Sequence, residues 1–311
     1  MNLEFCSVLY MGLIALIGRL TGVELVLFPG LAALSHDIMK RPHGTWARSP
    51  WMLVATPVFT AVMGTLITRH LGYGAVPVML DIGASITLIL VSQSPIAPAI
   101  TAGLLPLTIG YGSWLYPASI FMGTGLLAII SVLVRRWGGA LPAPDLARDR
   151  IDDAMEAVPF HLGWLPPFMA LIASLAVLAQ WTGVRFLLFP PLVVIAFEMF
   201  AHTKVCPWAV RAWRLPLVCT AGAALGVLLV ALLGSGVLAT MLSMLGGILL
   251  LRVFDLHAPP VLAIGLLPMI IPHPDYHFAL AVLVGTTVLV AAFASWRMAA
   301  DRLRRVPHQV L

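Results

Sequence analysis

A short polar stretch in the second half of the chain holds side chains that could bind an ion or move a proton. Arg252, Asp255 and His257 stand close together, just before Pro259 and Pro260, in otherwise aliphatic surroundings. Proline lacks a backbone N–H and restricts the preceding residue, so an α-helix cannot continue intact through this pair. Broken backbone at membrane depth persists only where protein buries it or where it lines a watery cavity. The stretch therefore indicates either the edge of a substrate site or a polar loop at the membrane surface.

A second broken stretch lies 162 residues earlier. Gln93 and Ser94 precede Pro98 there, Thr101 follows, and both breaks lead into the same tetrapeptide, Gly-Leu-Leu-Pro. The amide and hydroxyl groups could line a cavity, although ordinary helix capping explains them equally well. A half-helix that begins after each break would offer free backbone N–H groups and a positive dipole end, which suit an anion.

Repeated acids form the second set of candidates. Asp37 and Glu198 lie 161 residues apart, near the ends of matching apolar segments. A charge at the centre of a membrane helix costs about 2.5–3.5 kcal/mol, so a repeated acid is more informative than a single one. With His36 and the intramembrane Asp81, this pair predicts a proton-coupling or gating function. The alternative is that both acids lie at the membrane interface and pair with the basic loops that follow them.

The composition places these residues in a membrane protein. Of the 311 residues, 60% are hydrophobic and 10% are charged, whereas a soluble domain carries about 25% charged residues. The net charge of +5 is small and concentrates at segment ends, so it indicates topology rather than a nucleic-acid partner. The chain lacks a phosphate-binding loop, a nucleophile elbow and metal-ligand spacing among its three cysteines. We therefore predict a protein of the lipid bilayer that is not an enzyme and uses no metal or cofactor.

The chain is predicted to contain one unit twice. Glycine and proline, which dictate backbone shape, recur at an offset of 161–162 residues; Gly64, for example, matches Gly226. A charged connector lies between the copies and predicts a solvated linker with a short surface helix. The predicted division is a first membrane repeat at 1–136, a polar connector at 137–160, a second membrane repeat at 161–300 and a basic cytoplasmic tail at 301–311.

Each copy contains six apolar segments. About 20 apolar residues are needed to cross a bilayer, and the second and fifth segments of each copy are too short or too broken for a straight span. The fold class is therefore an all-α polytopic membrane protein, with about four full spans and two short or broken segments in each copy. The segments are predicted near residues 5–20, 23–39, 51–69, 75–92, 97–110 and 114–134, and again near 162–181, 184–200, 212–233, 236–252, 259–271 and 277–297.

Basic residues predict the orientation of the copies. They cluster after the second segment of each copy and at the end of each copy. If all of them face the cytoplasm, each copy crosses the membrane an even number of times. The copies are then parallel, related by an axis along the membrane normal. Both termini are expected to be cytoplasmic, in a bacterial inner membrane.

Three stretches of the second copy follow the order of a known family pattern. They are the helix from Leu187 to Phe200, the Pro207 loop with the glycine-bearing helix after it, and His257-Ala258-Pro259. Together they resemble the HPP family of small integral membrane proteins, whose signature is His-Pro-Pro-Ala-Gly-Ala. Ala258 replaces the first signature proline here, and Pro260-Val261-Leu262 replaces the Ala-Gly-Ala. The first copy is a more eroded version, with a proline at the histidine position.

The resemblance implies a small-solute transporter, because family members include proteins linked to nitrite transport across plastid-type membranes. We predict transport of a small polar solute, with a small anion such as nitrite among the candidates, through alternating access between the copies. The alternative is a non-transporting membrane scaffold or assembly factor, and a homo-oligomer is left open. Watery cavities at both breaks favour transport, and dry breaks favour the scaffold. The predicted substrate-binding residues are Arg252, Asp255, His257, Pro259, Pro260, Gln93, Ser94, Pro98 and Thr101.

Overall fold

The structure is a computed structural model that describes residues 3–137, 146–159 and 161–305. Within these residues the chain forms α-helices and short 3₁₀ turns and contains no β-strand, which confirms the all-α prediction. The helices are α1 (Leu3–Thr21), α2 (Gly30–Lys40), α3 (Thr45–Arg48), α4 (Pro50–Leu71), α5 (Ala75–Ser92), α6 (Ala99–Ile109), α7 (Leu115–Trp137), α8 (Leu146–Glu156), α9 (Leu165–Thr182), α10 (Pro190–Ala201), α11 (Pro207–Val210), α12 (Leu215–Leu233), α13 (Val237–Val253), α14 (Pro260–Leu266) and α15 (Tyr276–Arg305).

Seven of the described helices are long and apolar enough to cross a membrane, namely α1, α4, α5, α7, α9, α12 and α15. Helix α13 is also apolar and has 17 residues, close to this length. Large hydrophobic side chains cover their outer faces, with Trp51, Val91 and Trp181 each more than three-quarters exposed. Such a surface is stable in contact with lipid rather than water. The chain is therefore an integral membrane protein.

The fifth segment of each half is interrupted at the predicted place. Helix α5 ends at Ser92 and α6 begins at Ala99, while α13 ends at Val253 and α14 begins at Pro260. A 3₁₀ turn at Leu267–Met269 extends α14. The prediction that these helices begin at the proline breaks is confirmed. The second segments, α2 and α10, begin six or seven residues later than predicted, because 3₁₀ turns and a Phe-Pro step precede each of them.

Both breaks begin with the same backbone device. Gln93 and Asp255 follow α5 and α13 in left-handed conformations, with φ of 52° and 47°. The next residues, Ser94 and Leu256, each donate a backbone N–H to the carbonyl five residues earlier, at 3.0 and 2.9 Å. This bonding satisfies carbonyls at the helix end and reverses the chain direction.

The four half-helices, α2, α6, α10 and α14, form the core. Almost every residue in them is buried. They pack across the two halves, with α6 against α10, α14 against α2, and α10 against α14. The longer helices surround them, and here too the halves interlock: α1 packs on α13, and α9 packs on α5. Protein therefore surrounds the half-helices, while Gln93 and Asp255, at the start of each break, lie at the surface.

Two close helix crossings occur at equivalent glycines. A Cβ at Gly64 of α4 would collide with the carbonyl oxygen of Gly103 in α6. The same collision would occur between Gly226 of α12 and Gly265 of α14. Only glycine allows two helix backbones to approach this closely. The crossings fix α6 to α4 in the first half and α14 to α12 in the second half.

Ion pairs and hydrogen bonds show that the halves are parallel. Glu4, at the start of α1, pairs with Lys40 at the end of α2 and with Arg252 at the end of α13. His202, just after α10, bonds to the carbonyl oxygen of Ala157 near the start of α9. These ends define one face, which also carries α8 and which we call the connector face. Helices α1 and α9 therefore both begin there and run in the same direction.

The opposite face, which we call the far face, holds the other helix ends. Arg69, in the last turn of α4, donates to the carbonyl oxygen of Gly112 before α7. Gln180, near the end of α9, accepts from the backbone N–H of Ala75 at the start of α5. Helix α15 returns to the connector face and continues to Arg305, so the start of the predicted tail is helical. Residues 306–311 of that tail and 138–145 of the connector lie outside the described residues.

Candidate functional site

A buried arginine organises the connector face. Arg41 follows the last turn of α2. Its Nε atom lies 2.9 Å from one carboxylate oxygen of Asp37, and its Nη2 atom lies 2.9 Å from the other. Helix α8 adds three more acids: Asp152 at 3.6 Å, Asp153 at 3.3 Å and Glu156 in direct contact. The Arg41 side chain is only 5% exposed. One guanidinium thus holds a half-helix of the first half and the connector helix together.

The excess of acid around Arg41 changes the titration of the cluster. Burial and the neighbouring Asp37 carboxylate raise the pKa of Glu156 to about 9, although Arg41 opposes this shift. The surrounding carboxylates raise the pKa of Arg41 further above its usual range, against the effect of its burial. Arg41 therefore stays charged, and Glu156 gives up its proton less readily than an exposed glutamate does.

The second half repeats this acid–base pair with a weaker base. Glu198 Oε2 lies 2.7 Å from Nδ1 of His202, one helical turn later, and the other ring nitrogen lies 2.9 Å from the carbonyl oxygen of Ala157. Burial lowers the pKa of His202, but the Glu198 carboxylate and the two hydrogen bonds raise it more, so the net shift is upward. The offset of 161 residues that links Asp37 to Glu198 also links Arg41 to His202.

A small cavity of about 30 Å³ lies between the two acid–base pairs. This volume suits about one water molecule. Both halves and the connector helix contribute to its walls. The lining residues are Asp37, Arg41, Trp46, Asp152, Met155, Glu156, Val194, Glu198, Trp208, His257, Pro259 and Pro260.

A larger open groove of about 610 Å³ lies beside this cavity on the connector face. His257 lines both spaces, and its Nε2 atom lies 3.2 Å from Asp152 of α8. Three basic and two acidic side chains border the groove, together with the buried His36. The groove is lined by Glu4, His36, Lys40, Pro207, Val210, Arg211, Ile248, Leu251, Arg252, Asp255, Leu256 and His257.

The structure separates some residues that the sequence suggested would act together. Arg252 pairs with Glu4, and Asp255 pairs with Arg211, so these two neighbouring residues do not pair with each other. The Asp255 side chain is 81% exposed. The cause is the left-handed turn after α13, which directs Asp255 away from the helix face that carries Arg252. The small cavity is lined by three of the residues predicted from this break: His257, Pro259 and Pro260.

The first break is closed. The hydroxyls of Ser94 and Thr56 bond at 2.7 Å, and Thr101 donates to the carbonyl oxygen of Pro98 at 2.6 Å. Gln93 lies at the surface and donates to its own helix. The predicted site residues of this break line neither the groove nor the small cavity; they are Gln93, Ser94, Pro98 and Thr101. They therefore lie outside the site that the structure assembles. Asp81 of α5 also lies outside this site, fully buried against α6.

Comparison with protein-family models, curated proteins and solved structures finds no match to this chain. The HPP resemblance therefore stays a hypothesis based on sequence motifs.

The sequence predicted a short helix in the connector but placed it at the surface. Asp152, Met155 and Glu156 of this helix are instead buried against both halves. Helix α8 has an acidic residue at 149, 152, 153 and 156, a spacing that places all four on one helix face. This pattern could have predicted docking to a basic partner. The alternative that Asp37 pairs with its following basic loop is confirmed for Arg41, whereas Glu198 pairs with His202 rather than with Lys204.

Proposed function

We propose that the chain transports a small polar solute along the broken segment of its second half. The observation that carries this proposal is that open grooves reach both ends of the segment. His257, before α14, borders the groove on the connector face, and Met269, at its other end, borders a groove of about 520 Å³ on the far face. Short helices buried between parallel halves are the usual place for a transporter's substrate site.

The side chains of α8 support a small anion as the substrate class. Without α8, the site would contain two balanced acid–base pairs, Asp37–Arg41 and Glu198–His202, together with the imidazole of His257. In the structure, carboxylates of α8 contact Arg41 and His257. These carboxylates occupy the positions that a carboxylate-like anion would take. Nitrite, which the motif resemblance suggests, has the same charge and a similar shape.

Helix α8 then acts as the gate on the connector face. While it is docked, the cavity beside His257 has room for about one water molecule, and acids outnumber bases around it. A bare anion is repelled from this state. Undocking α8 removes Asp152, Asp153 and Glu156 together, which opens the site and reverses the local charge balance.

A reversible tether of α8 tests this proposal. Thr45 donates to Asp153 at 2.9 Å, so Thr45→Cys with Asp153→Cys places two thiols in contact, in a Cys6→Ser background. We expect uptake of nitrite into proteoliposomes to stop on oxidation and to return on reduction. The Thr45→Cys single variant, oxidised in the same way, is the control. Uptake that continues in the oxidised double variant would contradict the gate.

A second function, a non-transporting scaffold, is favoured by one specific observation. The hydroxyls of Ser94 and Thr101 in the first break are paired within the protein rather than turned towards a groove. A panel of small anions and cations in proteoliposomes separates the two functions. If neither the wild-type chain nor a variant with a weakened α8 contact, such as Glu156→Gln, moves any of these solutes, the scaffold is supported instead.

A further inference from the structure

Asp81 is a buried carboxyl in the middle of a membrane helix. It is the seventh of the 18 residues of α5 and is fully buried. Neither carboxylate oxygen receives a hydrogen bond from any described residue. A buried carboxylate normally accepts several hydrogen bonds or faces a cation, because its charge is otherwise strongly destabilised. Asp81 in its ionised form would have neither.

The carboxyl lies against the broken helix of the same half. A Cβ built on Gly103 of α6 would lie 2.9 Å from one Asp81 oxygen, 3.0 Å from the other and 2.9 Å from the Ser85 hydroxyl. The equivalent residue in the second half, 162 positions later, is Ser243. Its hydroxyl donates to the carbonyl oxygen of Gly265 at 2.7 Å. The second half therefore needs a hydrogen-bond donor at this position.

The neighbouring helices bring no charge to Asp81. Helix α5 packs against α4, α6 and α9. Helices α6 and α9 have no charged residue, and those of α4 are Arg69 and His70 in its last turn. Tyr116 of α7 lies close enough to interact with Asp81, but its hydroxyl donates to the carbonyl oxygen of Ala102. The Ser85 hydroxyl lies beside the carboxyl without bonding to it. No cation among these described groups balances a carboxylate, whereas backbone carbonyls could accept from a carboxylic acid.

We infer that Asp81 is a proton-binding site whose occupancy is linked to the separation of α5 from α6. With its proton, the carboxyl is a donor to the backbone of α6, in the role that the Ser243 hydroxyl has in the second half. Losing the proton requires α6 to move and water to enter, because the closed packing cannot hold the charge. On the proposed transport function, which this link presupposes, proton binding and release at Asp81 couple a pH gradient to solute movement.

Infrared spectroscopy tests the proton site without any transport assay. A Glu156→Gln background removes the signal of a second buried acid, whose pKa is raised to about 9. In this background we expect the purified protein to show the C=O stretching band of a buried carboxylic acid at pH 8. Asp81→Ser, which copies the second half, and the near-isosteric Asp81→Asn should both lack this band. Asp275→Asn, which removes an exposed acid, should keep it. If the Asp81 variants retain the full band, the proton site is excluded.

Carbodiimide labelling gives an independent measurement. A membrane-soluble carbodiimide takes up the proton of a carboxylic acid on nitrogen and bonds to its oxygen, so it modifies protonated acids in apolar surroundings. We expect dicyclohexylcarbodiimide to label the peptide that contains Asp81, and a charged, water-soluble carbodiimide to leave it unlabelled. Equal labelling by both reagents would show an acid open to water and would overturn the inference.

The link to transport needs a separate readout. In proteoliposomes that take up nitrite, we expect Asp81→Ser to retain exchange of nitrite across the membrane and to lose accumulation driven by a pH gradient. Unchanged accumulation in this variant would exclude the link while leaving the infrared result standing. If the wild-type chain moves no nitrite at all, the transport proposal fails, and the infrared band still decides whether Asp81 binds a proton.

Discussion

The two broken helices share their backbone but differ in what holds them. In the first break, the indole N–H of Trp46 donates to the carbonyl oxygen of Pro95 at 2.8 Å, and Thr60 donates to that of Ala99 at 2.7 Å. In the second break, Trp208 occupies the place of Trp46, but its buried indole N–H has no partner among the described residues. Gly222 occupies the place of Thr60 and has no side chain to donate.

This difference assigns the two halves different tasks. The hydrogen bonds of the first break, each contributing about 1 kcal/mol, fix α6 to its neighbours. The second break has instead an ion pair from His257 to α8, a buried donor on Trp208 and open grooves at both ends. The second half thus holds the proposed substrate site, and any separation of α6 from α5 in the first half has to break these hydrogen bonds.

The largest expected effect concerns the close glycine crossings, which both halves have. Gly64→Val and Gly226→Val would each force a side chain into a helix backbone, and we expect each to destabilise the protein by about 3 kcal/mol or more. Yield of monodisperse protein and thermal unfolding in detergent measure this. Gly83→Val in α5, where a Cβ would meet nothing within 4 Å, is the control. A tolerated Gly226→Val would show that the second crossing is loose.

The next effect separates the halves by function. We expect His257→Ala to lower nitrite uptake by about tenfold, the loss of a charge-assisted hydrogen bond worth roughly 1.5 kcal/mol at the site. Pro95→Ala, at the equivalent position of the first break, should leave uptake within about twofold of wild type, because that position borders no groove. Equal losses in the two variants would contradict the division of tasks.

The docking of α8 should depend on pH. Glu156 has a folded-state pKa raised from its ordinary value of 4.5, so docking is strongest below about 4.5 and weakens as pH rises towards 9. The raised pKa of His202 acts in the same direction, since its contribution is lost as pH rises through that value. We expect maleimide labelling of Met155→Cys, relative to the exposed Ala154→Cys, to increase by up to about a hundredfold between pH 6 and 8, because docking holds about one extra proton across this range.

Glu156→Gln sharpens this measurement. The glutamine side chain cannot titrate, so the pH dependence of Met155→Cys labelling should flatten in that background. An unchanged pH profile would assign the dependence to another group and leave His202 as the candidate.

The smallest effect is a direct comparison of the two tryptophans. Trp46→Phe removes one of the two hydrogen bonds to the Pro95 carbonyl and leaves the one from the Ala97 backbone N–H, so we expect a loss of about 1 kcal/mol in the free energy of unfolding. Trp208→Phe removes a donor that has no partner among the described residues and should be close to neutral in stability. Denaturant unfolding in detergent compares them. A larger loss for Trp208→Phe would mean that its N–H is bonded in the folded protein.

Local chemistry made most of the helices predictable from the sequence. Runs of apolar residues set the long helices, and the prolines at 98 and 260 set the starts of α6 and α14 because a proline can begin a helix but not continue it. The duplication itself stays a prediction, although the helices of the two halves follow the same order. The predicted starts of α2 and α10 were too early, because the composition of an apolar 3₁₀ turn does not distinguish it from an apolar α-helix.

The site was less predictable because it depends on contacts between distant parts of the chain. Asp37 and Glu198 could be found from their repeated positions, and His257 from the break. Arg41 meets Glu156 across 115 residues, and nothing local indicates that contact. The turn at Asp255 shows the opposite problem: a single left-handed residue redirects a side chain that helical spacing would have placed beside Arg252.

The interlocked outer helices constrain how the protein can be made. Helix α1 leaves the ribosome first, yet its packing partner in the second half, α13, is complete only at Val253. The partner of α5 is likewise α9, from the second half. Neither half can bury all of its helix faces during its own synthesis. The first half therefore keeps unpaired surfaces in the bilayer until the second half follows, and the packing is complete only after α13 has been translated.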